Sequence, residues 1–362
     1  MINYRNIIFN DFKLDVWNTL QSSSLPILIY GMGNGADKII DVFSAYGIEY
    51  QDIFASDGFV RGHSYKGKRV LSYSEALEKY PNGFDIVVSF GSKLPDVINK
   101  IYSLEKNHNV YAPDVPICGD NIFNTAFFEG HAEEIYTART YLHDEISKAV
   151  YDNIIRYKLS GKLCYLKKTA FDTTECDALL NIHKYDSYAD LGAYNGDTIK
   201  KYIDLCPNIK LIHAFEPDKR NFKKLSQFCD NLSDIEINLL NCAVYNSNTT
   251  LSFSSSGNRN SSATATQSFQ NKEMLIEAHS LDSITKKASL IKYDVEGLEY
   301  EAILGSEKLI KQGSDLIVSL YHKSEDIFKL PILVNSLNPS AKLFIRRLPY
   351  IPAWDLNLYV IN

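Results

Sequence analysis

The sequence lacks close cysteine pairs. Cys118, Cys164, Cys176, Cys206, Cys229 and Cys242 are widely spaced with no CxxC among them, which excludes the usual zinc and dithiol motifs and predicts reduced, mostly buried thiols. Long apolar runs are also missing, so no segment predicts a membrane span. The opening "MINYRNIIFNDFKLDVWNTL" is broken by Arg5, Asp11, Lys13 and Asp15 and so lacks a signal-peptide core; the expectation is a cytoplasmic protein. A basic excess is absent too. The net charge of -6 argues against nucleic acid as a partner, because a binder must offer phosphates a positive surface. There is no internal repeat. What remains is 362 residues, 45% hydrophobic and 23% charged, an ordinary globular composition with room for two cores.

Strand and helix periodicity supplies the organisation. "PILIYGMGNGADKIIDVFSAYG" reads as a strand, a glycine turn and a helix. Further strands at "IEYQDIFAS", "FDIVVSF" and "NVYAP" alternate with helices, among them "SEALEKY" with Ser74 as its cap. This predicts a small parallel α/β unit of about four strands over residues 1–113. Residues 114–180 predict a helical connection, with Ile135, Leu142, Ile146, Val150 and Ile154 on its apolar face and two sheets against it. A second alternation fills residues 181–362: "YDSYADLG", "IKLIHAFEP", "IEINLLNCAV", "ASLIKYDVEG" and "SDLIVSLYH" are strands, and "AKLFIRRLP" and "WDLNLYVIN" form an antiparallel edge. The fold class is α/β, with a doubly wound sheet preceded by a smaller one. "YNSNTTLSFSSSGNRNSSATATQ" predicts an exposed loop or hairpin.

In such sheets ligands bind beyond the carboxyl ends of the strands, where the strand order reverses. At "DLGAYNGDT" the strand ends in Asp190, Gly192 and Gly196 allow a tight turn, and a helix begins near Asp197. Two acids there would repel a phosphate and attract an ammonium or sulfonium group. Glu216, at the tip of the next strand, stands where these folds present a carboxylate to ribose hydroxyls. A cationic amino-acid end and a ribose in one crevice describe S-adenosylmethionine. Period-two alternation puts Asp294 and Glu296 on one side of the "KYDVEG" tip, with His322 on the neighbouring strand. For methyl transfer to a hydroxyl, His322 or Asp294 would accept the proton and the other acids would orient the acceptor. The same groups suit a divalent cation, although no tight metal motif compels one. Arg346 or Arg347, but not both, would face inward to hold an anionic substrate.

The ordered set "YADLGAYNGDT", "HAFEPD", "NCAV", "HSLDSI", "IKYDVEGLEYEAILG" and "VSLYHK" resembles the FkbM family of class I S-adenosylmethionine-dependent methyltransferases. The resemblance covers roughly residues 180–362 and the helices before them. It implies a class I, Rossmann-like methyltransferase sheet, in which Asp190, Gly192, Asn195 and Gly196 surround the methionine part of the donor. It further implies that Glu216 holds the ribose and that Asn241 and Ala243 lie near the adenine. The implied activity is O-methylation of a sugar, a glycan precursor or a related metabolite.

The first glycine turn, Gly31, Gly33 and Ala36, has no acid at its strand end, and Asp57 follows the second strand. A phosphate is more plausible there. The unit resembles small Rossmann-like domains at the front of some sugar-modifying acyltransferases and longer FkbM-type proteins. It would bind a nucleotide or nucleotide sugar, or have a purely structural or dimer-forming role. An alternative function is therefore an NAD(P)- or nucleotide-sugar-dependent oxidoreductase or epimerase using Gly31, Gly33 and Asp57; another is a glycan-binding module without turnover.

Overall fold

The computed structural model describes residues 2–60, 62–254, 262–264 and 273–362. The first sheet has five parallel strands: β1 (Ile27–Tyr30), β2 (Asp52–Ala55), β3 (Leu71–Ser72), β4 (Asp85–Val88) and β5 (Val110–Tyr111), in the order β3-β2-β1-β4-β5. Every residue of β1, β2 and β4 is buried, as unbroken apolar runs in a sheet covered on both faces require. The two-residue β3 is too short to show periodicity, and it adds a strand to the four expected. Ser72, not Ser74, caps the helix Tyr73–Lys79, through a capping box with Glu75. Ser74 instead donates its N–H and Oγ–H to Asp57, at 3.1 and 2.9 Å.

Helix α1 (Asn34–Tyr46) follows β1, and α2 (Glu145–Ser160) crosses between the sheets. One hydrophobic cluster runs from Leu28 and Ile86 through Val150 and Ile154 to Leu343 and Ile345. Polar ties support it: Tyr157 Oη donates to Ala112 O at 2.7 Å, and Lys158 and Asp114 form a buried ion pair at 2.6 Å. The expected apolar stripe is interrupted. A helix Ala132–Thr140 ends before Asp144, which caps α2, so the helical phase restarts and Ile146 is left exposed.

The second sheet comprises β6 (Ser187–Leu191), β7 (Leu211–Phe215), β8 (Glu236–Leu240), β9 (Leu290–Tyr293), β10 (Asp315–Ser319), β11 (Lys342–Arg347) and β12 (Leu356–Ile361). Their order is β8-β7-β6-β9-β10-β12-β11, with β12 antiparallel to both neighbours and the rest of β8 to β10 parallel. The order reverses between β6 and β9, which fixes where the ligand crevice opens. The serine-rich segment contributes Thr249–Ser254 and Ser262–Thr264, paired antiparallel in a smaller sheet with Glu273–His279; residues 255–261 and 265–272 lie outside the described ones.

Both edge arginines are buried, contrary to the expected division into one inward and one solvated side chain. Arg346 bonds Ser147 Oγ, Ile345 O and Asp144, and Arg347 bonds Thr169 Oγ1 and the carbonyls of Leu166, Leu348 and Tyr350. The helical connection covers this edge, so both guanidinium groups spend their donors on the protein itself. Among the described residues no helix is long and apolar enough to cross a membrane.

Candidate active site

The tips of β6, β7, β9 and β10 surround a cavity of about 420 Å³. At the β6 tip Gly192 has φ 88°, and a Cβ there would run into the Asp294 carbonyl oxygen. Only glycine lets the β6 and β9 ends approach so closely. Gly196 precedes helix α3 (Asp197–Leu205) with φ 91°, and a Cβ there would strike the Phe228 ring. At the β7 tip, Glu216 accepts the Tyr194 N–H at 2.9 Å and the Asp218 N–H at 2.8 Å, one on each carboxylate oxygen. Each oxygen keeps a lone pair for a further donor. Burial pushes this carboxyl up to about 7 despite those two bonds.

Asp190 is fully buried behind this turn, accepting from Thr198 Oγ1. Lys292 Nζ lies 3.4 Å from Asp190 and 3.3 Å from Asp294. The acid at the strand tip is thus already countered by an internal cation. Burial raises the Asp190 carboxyl above its ordinary value against the pull of Lys292 and Thr198. Burial also pushes Asp294 upward, but Lys292, His322 and the hydroxyls of Ser319 and Tyr321 together hold it low.

His322 is buried among carboxylates. Its Nδ1 lies 2.9 Å from Glu299, and its Nε2 lies 3.5 Å from Asp294 and 4.0 Å from Glu296. Burial alone would lower the imidazole, but Glu299 first, then Asp294 and Glu296, lift it to about 10. It is therefore an imidazolium at neutral pH and has no free lone pair for a proton. Glu299, the first residue of helix α4 (Glu299–Leu304), also accepts the N–H groups of Val295 and Gly297, at 2.9 and 3.1 Å. Glu296 is held more loosely, by that 4.0 Å contact with His322. Its backbone is left-handed, with φ 53°, and its Oε2 is buried with no hydrogen-bond partner among the described residues. Burial, together with Asp294, Glu299 and Glu216, outweighs His322 and raises its carboxyl to about 7.

Six of the ten residues singled out from the sequence line the cavity: Gly192, Glu216, Ala243, Asp294, Glu296 and His322. Asp190, Asn195, Gly196 and Asn241 stand behind its wall. Asn241 Nδ2 donates to the carbonyls of Glu216 and Pro217, at 2.8 and 3.2 Å, and so braces the β7 tip. Asn195 Oδ1 is buried without a partner among the described residues. Lys292 and Glu299 were missed. The alternation that pairs Asp294 with Glu296 places Lys292 on the same side, so the signal for the lysine was present; Glu299 follows a turn whose geometry the sequence does not display. The described residues contain no group of three or more His, Cys, Asp or Glu side chains placed to hold a metal ion.

Residues 190–329 match the family model of the methyltransferase FkbM domain. Among solved structures, methyltransferase FkbM from Methylobacillus flagellatus superposes over 99% of this chain and 98% of its own, with a TM-score of 0.72 and 16% identity. An rRNA methylase from Streptococcus thermophilus covers 50% of this chain and 88% of its own (TM-score 0.34, 13% identity). Aeropyrum pernix fibrillarin in complex with S-adenosyl-L-methionine covers 50% and 69% (TM-score 0.30, 11% identity). No curated protein matches the sequence. The matched domain begins at the buried acid of β6 and runs past the imidazolium after β10, so residues 190–329 form a methyltransferase FkbM domain.

Proposed function

We propose that the chain transfers a methyl group from S-adenosylmethionine to a hydroxyl of a sugar or glycan precursor, with Glu296 as the general base. The residues present fit the donor. Glu216 would accept the two ribose hydroxyls on its remaining lone pairs, Ala243 would border the adenine, and Asp197 would face the amino-acid end beside the Gly192 turn. Bound there, the donor would supply a methyl carbon activated by the positive sulfur, which would keep the C–S bonding pair when the methyl passes to the acceptor oxygen.

The chain itself aligns the acceptor and removes its proton. Glu296 carries this reading, since it is a half-buried carboxylate whose buried Oε2 has no hydrogen-bond partner among the described residues, held in a backbone conformation that costs a non-glycine residue on the order of 1–3 kcal/mol. A base titrating near the working pH combines availability with driving force. Asp294, tied to Lys292, Ser319 and Tyr321, is the weaker base and orients the acceptor, while the His322 imidazolium limits the negative charge as Glu296 ionises. Tyr350 and Trp354, with ring centroids 5.3 Å apart, also line the cavity. Aromatic faces among acids suit a sugar's apolar face and hydroxyls. Titration calorimetry tests the donor site: S-adenosylhomocysteine should bind the wild type and lose roughly 100-fold in affinity in Glu216→Ala, as expected for two hydrogen bonds to a charged group. Equal affinity in the two proteins would refute the assignment.

A further inference from the structure

A second cavity, of about 240 Å³, opens at the carboxyl ends of β1 and β4, where the order of the first sheet reverses. It is smaller than the roughly 300–1,000 Å³ of sites that take a whole ligand, so it has room for part of one. Its lining is mainly apolar: Met32 and Phe90 come from the first sheet's turns, Val115 and Pro116 from the segment after β5, and Pro352 and Trp354 from the β11–β12 turn. Ile117 and Trp354 line this cavity and the active-site cavity alike. Two residues therefore form the boundary between the sites.

That boundary is held from several sides. Lys38 Nζ donates to the carbonyls of Pro116 and Ile117, each at 2.7 Å. Cys118 N–H donates to His322 O at 2.9 Å, and its thiol donates to Glu296 O at 3.1 Å. On the other side Ser92 and Ile351 exchange two backbone hydrogen bonds, at 2.8 and 3.0 Å. Gly91 lies flat against the Trp354 ring, where a Cβ would collide with it. The wall shared by the cavities is thus tied to the loop that carries the proposed base.

We propose that the second cavity is an acceptor subsite: it takes a flat, ring-bearing end group of the substrate while the reacting hydroxyl lies at Glu296. The inference rests on the hydroxyl-methylation reading and specifies its substrate class, an acceptor long enough to pass Trp354 and ending in an aromatic or heteroaromatic ring. The Phe90 and Trp354 rings within an otherwise aliphatic lining favour such a group, because aromatic faces stack and bury large apolar area. A nucleobase and a simple aryl group share this chemistry.

Calorimetry with p-nitrophenyl glucoside, UDP-glucose and methyl glucoside tests it. At least one ring-bearing probe should bind the wild type tenfold or more tightly than methyl glucoside. The nitrophenyl compound leading assigns an aryl end, and UDP-glucose leading assigns a nucleobase. Met32→Glu, which puts a solvated carboxylate at the partly exposed rim of this apolar cavity, should erase the advantage of the ring while leaving S-adenosylhomocysteine affinity and the unfolding midpoint as in the wild type. No advantage of either ring over methyl glucoside, or an advantage that survives Met32→Glu, overturns the subsite. Failure of S-adenosylhomocysteine to bind the wild type strikes the donor site instead, and the two failures are read separately.

Discussion

The two parallel sheets open at equivalent places, each where its strand order reverses, yet their mouths differ in chemistry. The second is crowded with ionisable groups: Glu216, Lys292, Asp294, Glu296, Glu299 and His322 lie at or just behind it. The first is lined by methionine, valine, proline and aromatic side chains, with Lys38 engaged by carbonyls. Its charge sits off to one side, on Asp37 in the first turn of α1, which Lys66 and Tyr65 hold below the usual carboxylate value. A phosphate at that helix end would meet this carboxylate, although no acid ends the strand. Topology therefore places the crevice, and the residues at and just beyond the strand ends decide what it can do.

The strongest way to test that contrast is to disable one mouth chemically. Glu296→Gln keeps the shape but removes the base, so kcat should fall by roughly 10²–10⁴ in single-turnover methyl transfer, with donor affinity little changed; a loss below about tenfold would mean that another group takes the proton. The next comparison is between the glycine turns. Gly192→Ala adds a collision with the Asp294 carbonyl to a left-handed backbone and should cost roughly 3–5 kcal/mol in urea unfolding. Gly33→Ala, with φ 107° and nothing within 4 Å of its added carbon, should cost less, about 1–3 kcal/mol. Equal losses would show that close packing at the second mouth is unimportant.

Lys292→Met leaves Asp190 and Asp294 without their shared cation, and removing one member of a buried ionic group typically costs about 3–5 kcal/mol. Because Asp294 is partly exposed, the lower end, about 3 kcal/mol, is expected. The smallest effects are in pH. With Glu296 at about 7, kcat/KM should rise with unit slope to about pH 7 and then level off; the Gln variant should lose that limb. The His322 value, about 10 against 6.5 for the ordinary imidazole, lies above its unfolded value. Its charge therefore contributes stability that is complete below about pH 6.5 and lost as the pH climbs through 10. The gap in melting temperature between wild type and His322→Gln should narrow over that window; a constant gap would deny the imidazolium.

Much of this was legible in the sequence for definite reasons. Strands buried on both faces appear as unbroken apolar runs, so β6, β7, β9 and β10 and the residues at their tips could be located. The edge pair was legible from its two strands and the proline-bearing turn between them. What escaped depended on long-range packing. Nothing in "FIRRLP" shows that a helical connection will cover it and bury both guanidinium groups, or that Ile146 falls beyond a reset in helical phase. The partnership of Glu299 with His322 joins residues 23 positions apart. The pairing of Asp190 with Lys292 spans 102, and it changes the electrostatic meaning of the strand-tip acid from an open anion to half of an internal pair.

The left-handed backbone at Glu296 has an evolutionary corollary. Glycine adopts that conformation freely, and another glycine, Gly297, stands immediately beside it. Drift towards greater thermal robustness would favour a second glycine at the spot. A lineage that abandoned turnover while keeping the fold should reveal itself first by that replacement.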